Sequence, residues 1–328
     1  MMLQLILLTS LATQLPGSDG TASHEAIESL LTELRRLINE GQVTDAATSI
    51  PEAIRLAKGA EVDAIDAALL WNQVGLIHDS LGMPGLAEGE YRTGLRVLAG
   101  RSDSLAEALL LLNLAAVLLN IGGRPREVEL LLIRGLEVVQ KLAGDRSRDR
   151  LVFLIALAAA KSELGDRAAA RKLLSEVLES GDQTLLARLQ RAAALSGLGV
   201  MAENERKFPQ AIHFFLESIA VFDGVYGMRH PDTIPLYLNL AFSYGREHRW
   251  DRAGEVAGLA LEIAESRLSP NRPLLAKALK ASAEAERHMG KRAAAKVLEA
   301  RARSLTGDSD NAVIRARVHV ADLRGGAN

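Results

Sequence analysis

Seven histidines are the residues best suited to acid–base or metal chemistry in this chain, at positions 24, 78, 213, 230, 248, 288 and 319. No two of them form an H-x3-H or HExxH pair, and His24-Glu25 is not followed by a second histidine one helical turn on. The chain has no cysteine. That removes disulfides, thiolate nucleophiles, thiolate zinc sites and iron–sulfur clusters. No G-x-x-x-x-G-K-[ST] loop occurs, and no G-x-G-x-x-G follows a strand pattern. Ser196-Gly197-Leu198-Gly199 lacks the G-x-S-x-G order and the strand–turn–helix setting of a nucleophile elbow. Carboxylates are plentiful, as on any charged helix face. The sequence therefore predicts no catalytic residue, no metal site and no bound cofactor.

Charge is the next chemistry to place. Lys+Arg number 39 against 41 Asp+Glu, a formal net charge of −2, which suits no general polyanion binder. Arg146, Arg148 and Arg150 cluster, but Asp145 and Asp149 interleave them and no aromatic platform accompanies them, so no nucleic-acid partner is expected. One region stands apart. From Leu274 to Leu305 there are eight Lys/Arg and three Glu, a local charge of +5, which leaves −7 for the rest.

The elements that must carry these groups are helical. Apolar residues make 48% of the 328, yet aromatics only 4%, and Leu and Ala dominate. The greasy runs Leu109–Ile121 and Leu151–Ala160 fall short of the about 20 residues a membrane span needs, so they read as buried helices. Self-comparison then finds a repeat. Trp71-x2-Val74-Gly75-x2-His78 is followed by Gly82, Ala87 and Tyr91. One marker falls at Leu34, Gly75, Ala115, Ala158, Gly199, Ala241 and Ala283, with gaps of 41, 40, 43, 41, 42 and 42. A second falls at Ala46, Ala87, Val128, Ala170, Ala211, Ala253 and Ala295. It trails the first by 12 residues in six copies and by 13 in the third, where Gly122-Gly123 adds one. Small residues at both markers let two helices approach closely. Gly41, Gly82, Gly122, Gly165 and Gly290 end the first helices.

The spacing W-x2-L-G-x2-Y and A-x3-F resembles the tetratricopeptide repeat. A period near 42, with His230-Pro231-Asp232 ahead of Tyr237–Tyr244, is similar to the longer kinesin-light-chain repeats and their bacterial relatives. The resemblance covers about Ser23 to Leu305. It implies an all-α, right-handed superhelical solenoid of about seven helix–turn–helix repeats, with a concave groove lined by fixed positions of each first helix. Those positions bring Leu69, Asn72 and Leu76 in the second repeat, and Leu109, Leu112, Leu119 and Asn120 in the third. They bring Val152 and Ile155, then Val200 and Asn204, in the next two, and Leu238, Phe242 and Arg246 in the sixth. The seventh adds Lys277, Lys280 and Arg287. The groove is thus expected to be apolar in its middle, with amides for a peptide backbone, and basic at one end. Its partner is a protein or peptide segment, apolar with an acidic end. The opposing expectation is that tighter packing, or the tail Ala312–Leu323, covers these residues. Co-chaperone binding is not expected, because Glu28, Leu31, Arg35, Leu69, Asn72 and Leu76 occupy the positions of the family's carboxylate clamp.

Three segments follow: a signal peptide over 1–22, the repeat solenoid over 23–305, and a polar break and tail over 306–328. Leu3–Ala12 is apolar, and Gly20 and Ala22 fit a small-x-small cleavage site, although no Lys or Arg precedes the run. Alternation of Ala316, Val318 and Val320 with Arg315, Arg317 and His319 suggests a short strand or extended arm. The excess of Arg over Lys points to a GC-rich bacterial genome. The functional expectation is a non-catalytic interaction scaffold, periplasmic or secreted, with no membrane span in the mature chain. The alternatives are a cytoplasmic peptide-sensing regulator whose superhelix changes pitch, or a self-associating structural protein.

Overall fold

The computed structural model describes residues 22–99, 103–143, 148–180, 184–227, 229–267 and 272–305. The expected signal peptide, the tail and its expected strand lie outside the described residues. Those described form fifteen α-helices and one short 3₁₀ turn, with no strand. Helices α1 (Ala22–Asn39), α2 (Val43–Thr48), α3 (Ile50–Ala57), α4 (Ala64–Ser80), α5 (Pro84–Val97) and α6 (Leu105–Ile121) come first. Next are α7 (Pro125–Ala143), α8 (Arg148–Glu163), α9 (Arg167–Leu178), α10 (Leu185–Asn204) and α11 (Phe208–Tyr226). Then follow α12 (Ile234–Arg246), α13 (Trp250–Arg267), α14 (Arg272–His288) and α15 (residues 292–305). They pair as the repeat requires: α4 with α5, α6 with α7, and so on to α14 with α15. In the first copy the second helix is broken into α2 and α3. Pro51 in the first turn of α3 has no N–H with which to continue the ladder from α2.

The chain divides into two compact units, Met1–Met228 with copies one to five and Arg229–Asn328 with copies six and seven. Local sequence sets the helix starts. Asp63 accepts from the Ile65 N–H, Ser104 from Glu107, Asp166 from Ala169 and Thr184 from Ala187. Within each unit every first helix packs on its own second helix, and α4, α6, α8 and α10 also touch in succession, as do α12 and α14.

Both markers are interior in all seven copies. In the first unit their sizes are complementary. A Cβ at Gly199 would stand 2.5 Å from the Phe215 ring, and Gly75 faces the buried Tyr91 ring in the same way. Where the second helix carries leucine instead (Leu132, Leu174), the first carries Ala115 and Ala158. Tyr91 and Phe215 thus fill the gap inside their own repeat. A third position, seven residues after the second marker, is buried in every copy: Ala53, Gly94, Gly135, Val177, Ser218, Ala260 and Ala302. Gly94 admits Leu110, and Gly135 admits Phe153, from the first helix of the next copy. Burying each such side chain contributes about 2–3 kcal/mol.

Candidate functional site

The seventeen groove positions do not behave as one surface. Leu69, Asn72, Leu76, Leu112, Val152 and Ile155 are buried, none more than 6% exposed. The cause is visible in their helices. Helix α4 buries every residue from Ala67 to Ile77, and α6 every residue from Leu110 to Leu118. A helix that is apolar all round belongs to an interior. Asn72 is not held out for a peptide backbone: its Oδ1 accepts a 2.8 Å bond from the Asn113 amide inside the core. The expectation of tighter packing describes these six positions, and the expected apolar mid-groove does not. Leu109 and Leu119 are half-buried, while Asn120, Val200 and Asn204 are exposed.

The second unit is different. Leu238 is half-buried and Phe242 is 53% exposed. Arg246, Lys277, Lys280 and Arg287 are exposed. Four of these six positions converge on a cleft of about 510 Å³ between α12, the α12–α13 turn, α13 and α14. Leu238, Phe242 and Arg246 line one wall and Lys280, Glu284 and His288 the other. Its floor is made of alanines, Ala241, Ala253, Ala281 and Ala285. At the position where copies two and five carry Tyr91 and Phe215, copy six carries Ala257 and copy seven Glu299.

Two residues that the groove positions did not pick out shape the cleft. Trp250 enters it because Gly245 has no side chain; a Cβ there would lie 2.8 Å from the indole. The Trp250 ring stacks on His288 with centroids 3.7 Å apart and planes within 3°. His248 meets Trp250 edge-on at 6.4 Å. The Arg249 guanidinium lies 4.6 Å over Tyr244, and the Arg249 backbone N–H donates to the Tyr244 carbonyl, which fixes the turn. The sequence signal for His248 was available: the glycine that ends the first helix is missing from copies five and six.

Arg287 lies outside this lining and pairs with Glu299, while Lys291 pairs with Glu286. Lys277 and Lys280 form no ion pair among the described residues. Arg246, Lys280, His248 and His288 thus face the cleft with one carboxylate, Glu284. Such a lining can hold an apolar group next to an anion. Among the described residues it contains no hydroxyl or thiol nucleophile, and no cluster of three or more His, Asp or Glu could hold a metal ion. No described helix is long and apolar enough to cross a membrane.

No protein-family model matches the chain, and no curated protein matches its sequence. Solved structures do. The complex of NprR with its cognate peptide NprX superposes with a TM-score of 0.65 at 14% identity, over 81% of this chain and 74% of that one. Rap protein complexed with Competence and Sporulation Factor gives 0.56 at 14% identity, over 87% and 98%. BtubC (BKLC) from P. vanneervenii gives 0.53 at 19% identity, over 71% and 92%. These likenesses establish the fold: the chain is an array of tetratricopeptide-like repeats.

Proposed function

We propose that this chain is a non-catalytic scaffold that binds a peptide, or an extended segment of another protein, apolar with an acidic end. The cleft of the second unit is its anchor point. One observation carries this reading. Phe242 stands more than half exposed at the rim of a cleft whose cations outnumber its acids. An exposed large apolar side chain near Lys280, which forms no ion pair among the described residues, suits a segment that offers an apolar group and an acid. The NprR and Rap structures support the peptide class, since each was solved with such a factor bound to the same kind of fold. The chain's own tail is a poorer occupant. Arg315 and Arg317 flank its apolar residues and repeat the sign of the cleft. With residues 1–22 acting as a signal peptide, the scaffold works in the periplasm or outside the cell.

The test is recovery of the protein from its native cells, as wild type and as Phe242→Ala, followed by mass spectrometry. A stoichiometric partner present with wild type and lost with the variant, at unchanged melting temperature, supports the reading. A partner held equally by both rejects the cleft. A mature mass beginning at Ser23 supports export. An intact Met1 favours the peptide-sensing regulator, which the burial of six groove positions also suits, because ligand entry there requires the array to open.

A further inference from the structure

The turn inside each repeat uses one position in all seven copies, seven residues after the first marker. Its φ is positive every time. φ is +75° at Gly41 and Gly82, +79° at Gly122, +84° at Gly165 and +83° at Gly290. The two remaining copies hold Arg206 at +58° and His248 at +57°. The hydrogen bonds are the ones glycine makes elsewhere. His248 N–H donates to the Gly245 carbonyl as Gly82 N–H does to Asp79, and Arg249 N–H to Tyr244 as Met83 N–H does to His78. A residue with a Cβ is disfavoured in this conformation. The fold therefore does not ask for a side chain at this position; five copies are built without one. His248 is the substituted position that lines the cleft.

We infer that His248 is a specificity-determining residue of the cleft, its imidazole N–H donating to a carboxylate of the bound segment. This rests on the reading of the cleft as a peptide site. The local chemistry narrows the ligand further. Phe242 and Arg246 are one helical turn apart, so the places for an apolar side chain and for an anion are neighbours, about 6 Å apart. Lys280 faces them from α14. The ligand must therefore carry its carboxylate on the residue next to its apolar anchor, as in an internal Leu-Glu or Phe-Glu pair of a protein segment. A side chain kept at a strained turn beside a binding cleft is the pattern expected when contact outweighs the local conformational cost.

The experiment uses the full chain with fluorescein-labelled dodecapeptides that carry a central Leu-Glu or Phe-Glu pair, and the same peptides with Gln for Glu. Anisotropy on wild type should show the Glu peptides bound about tenfold tighter than the Gln peptides, the effect of one charge-assisted hydrogen bond. His248→Gly should melt higher, because glycine relieves the turn, and should lose most of that preference while still binding the Gln peptides. His248→Asn, which tolerates the turn and keeps a donor, should retain the preference. Arg206→Gly should melt higher with binding unchanged. A His248→Gly variant that keeps the full preference overturns the role of His248 and leaves the cleft reading standing. No binding of any peptide to wild type, or equal binding by Phe242→Ala, overturns the cleft reading itself, and the role of His248 with it.

Discussion

The two units carry the same repeat, yet they resolve the same inner positions in opposite ways. In copies two to four, Leu69, Leu112, Val152 and Ile155 are interior, and in copies six and seven Phe242, Lys277 and Lys280 face outward. The repeat fixes where each position points along a helix. Composition decides whether that direction ends in protein or in water. Helices α4 and α6 are apolar on every side, so their inner faces are buried too. Helix α14 carries an apolar side and a charged one, α12 ends in Arg246 and leaves Phe242 uncovered, and an open face survives. The size rule differs as well. The first unit matches glycine with an aromatic ring and alanine with leucine, whereas the second carries Ala257 and Glu299 at the position of the large residue. A groove in such an array is thus not a property of the repeat but of the copies that leave it unfilled.

The sharpest way to break this contrast is to place one charge at the same inner face in each unit. Leu112→Glu should destabilise the first unit by about 4 kcal/mol or more, since it puts a carboxylate at a fully buried site with no partner. Ile155→Glu should behave alike. Phe242→Glu, at a half-open site, should stay within about 0.5 kcal/mol of wild type and abolish binding of the acidic segment. Urea titration followed by circular dichroism reads all three. A Leu112→Glu protein as stable as wild type would mean that the inner face of the first unit is open after all.

A smaller effect tests the size rule. Gly75→Ala should cost about 2 kcal/mol, because the new methyl meets the fully buried Tyr91 ring. Tyr91→Leu alone should cost about as much by leaving a void. The double variant reproduces the Ala–Leu combination of copies three and four and should be more stable than the sum of the singles predicts. Losing the Tyr91 hydroxyl adds nothing, since it is buried without a hydrogen-bond partner. A strictly additive cycle would show that the two positions do not share one gap.

How far the sequence spoke follows from the same packing. Seven copies, their helix pairs and both markers were legible, because close helix approach demands small residues and a turn demands glycine, wherever the copy sits. The third position was equally regular but hidden: Val177 and Ser218 break the glycine–alanine pattern. The cleft was half legible. Leu238, Phe242, Arg246 and Lys280 followed from the repeat, whereas Trp250 did not, because its entry depends on the missing side chain of Gly245. The buried groove positions misled because exposure belongs to the whole circumference of a helix, and a one-face reading ignores the other side. His248 was written in plain view, as a gap in a series of glycines.

The smallest expected effect concerns what holds the edge of the closed unit. His24 on α1 places Nδ1 2.7 Å from Asp66 Oδ2 on α4 and Nε2 3.5 Å from Glu28. The hydrogen bond to Asp66 raises its pKa above the ordinary 6.5, against the opposing pull of desolvation and with help from the charges of Asp66, Glu28 and Asp63. The imidazolium is the form that bridges α1 to α4. Because the folded pKa is the higher one, the stabilisation is complete below about 6.5 and is lost as pH rises through the folded value. His78 runs the other way: burial lowers its pKa, so its contribution is lost as pH falls through about 6.5. Hydrogen exchange, corrected for intrinsic rates, should therefore show α1 loosening as pH rises above neutrality. In His24→Gln that trend should vanish, with the second unit unchanged throughout. Flat or rising protection of α1 over the same range would remove His24 as the latch. It would leave the apolar residues Ile27, Leu31 and Leu34 as what fastens α1.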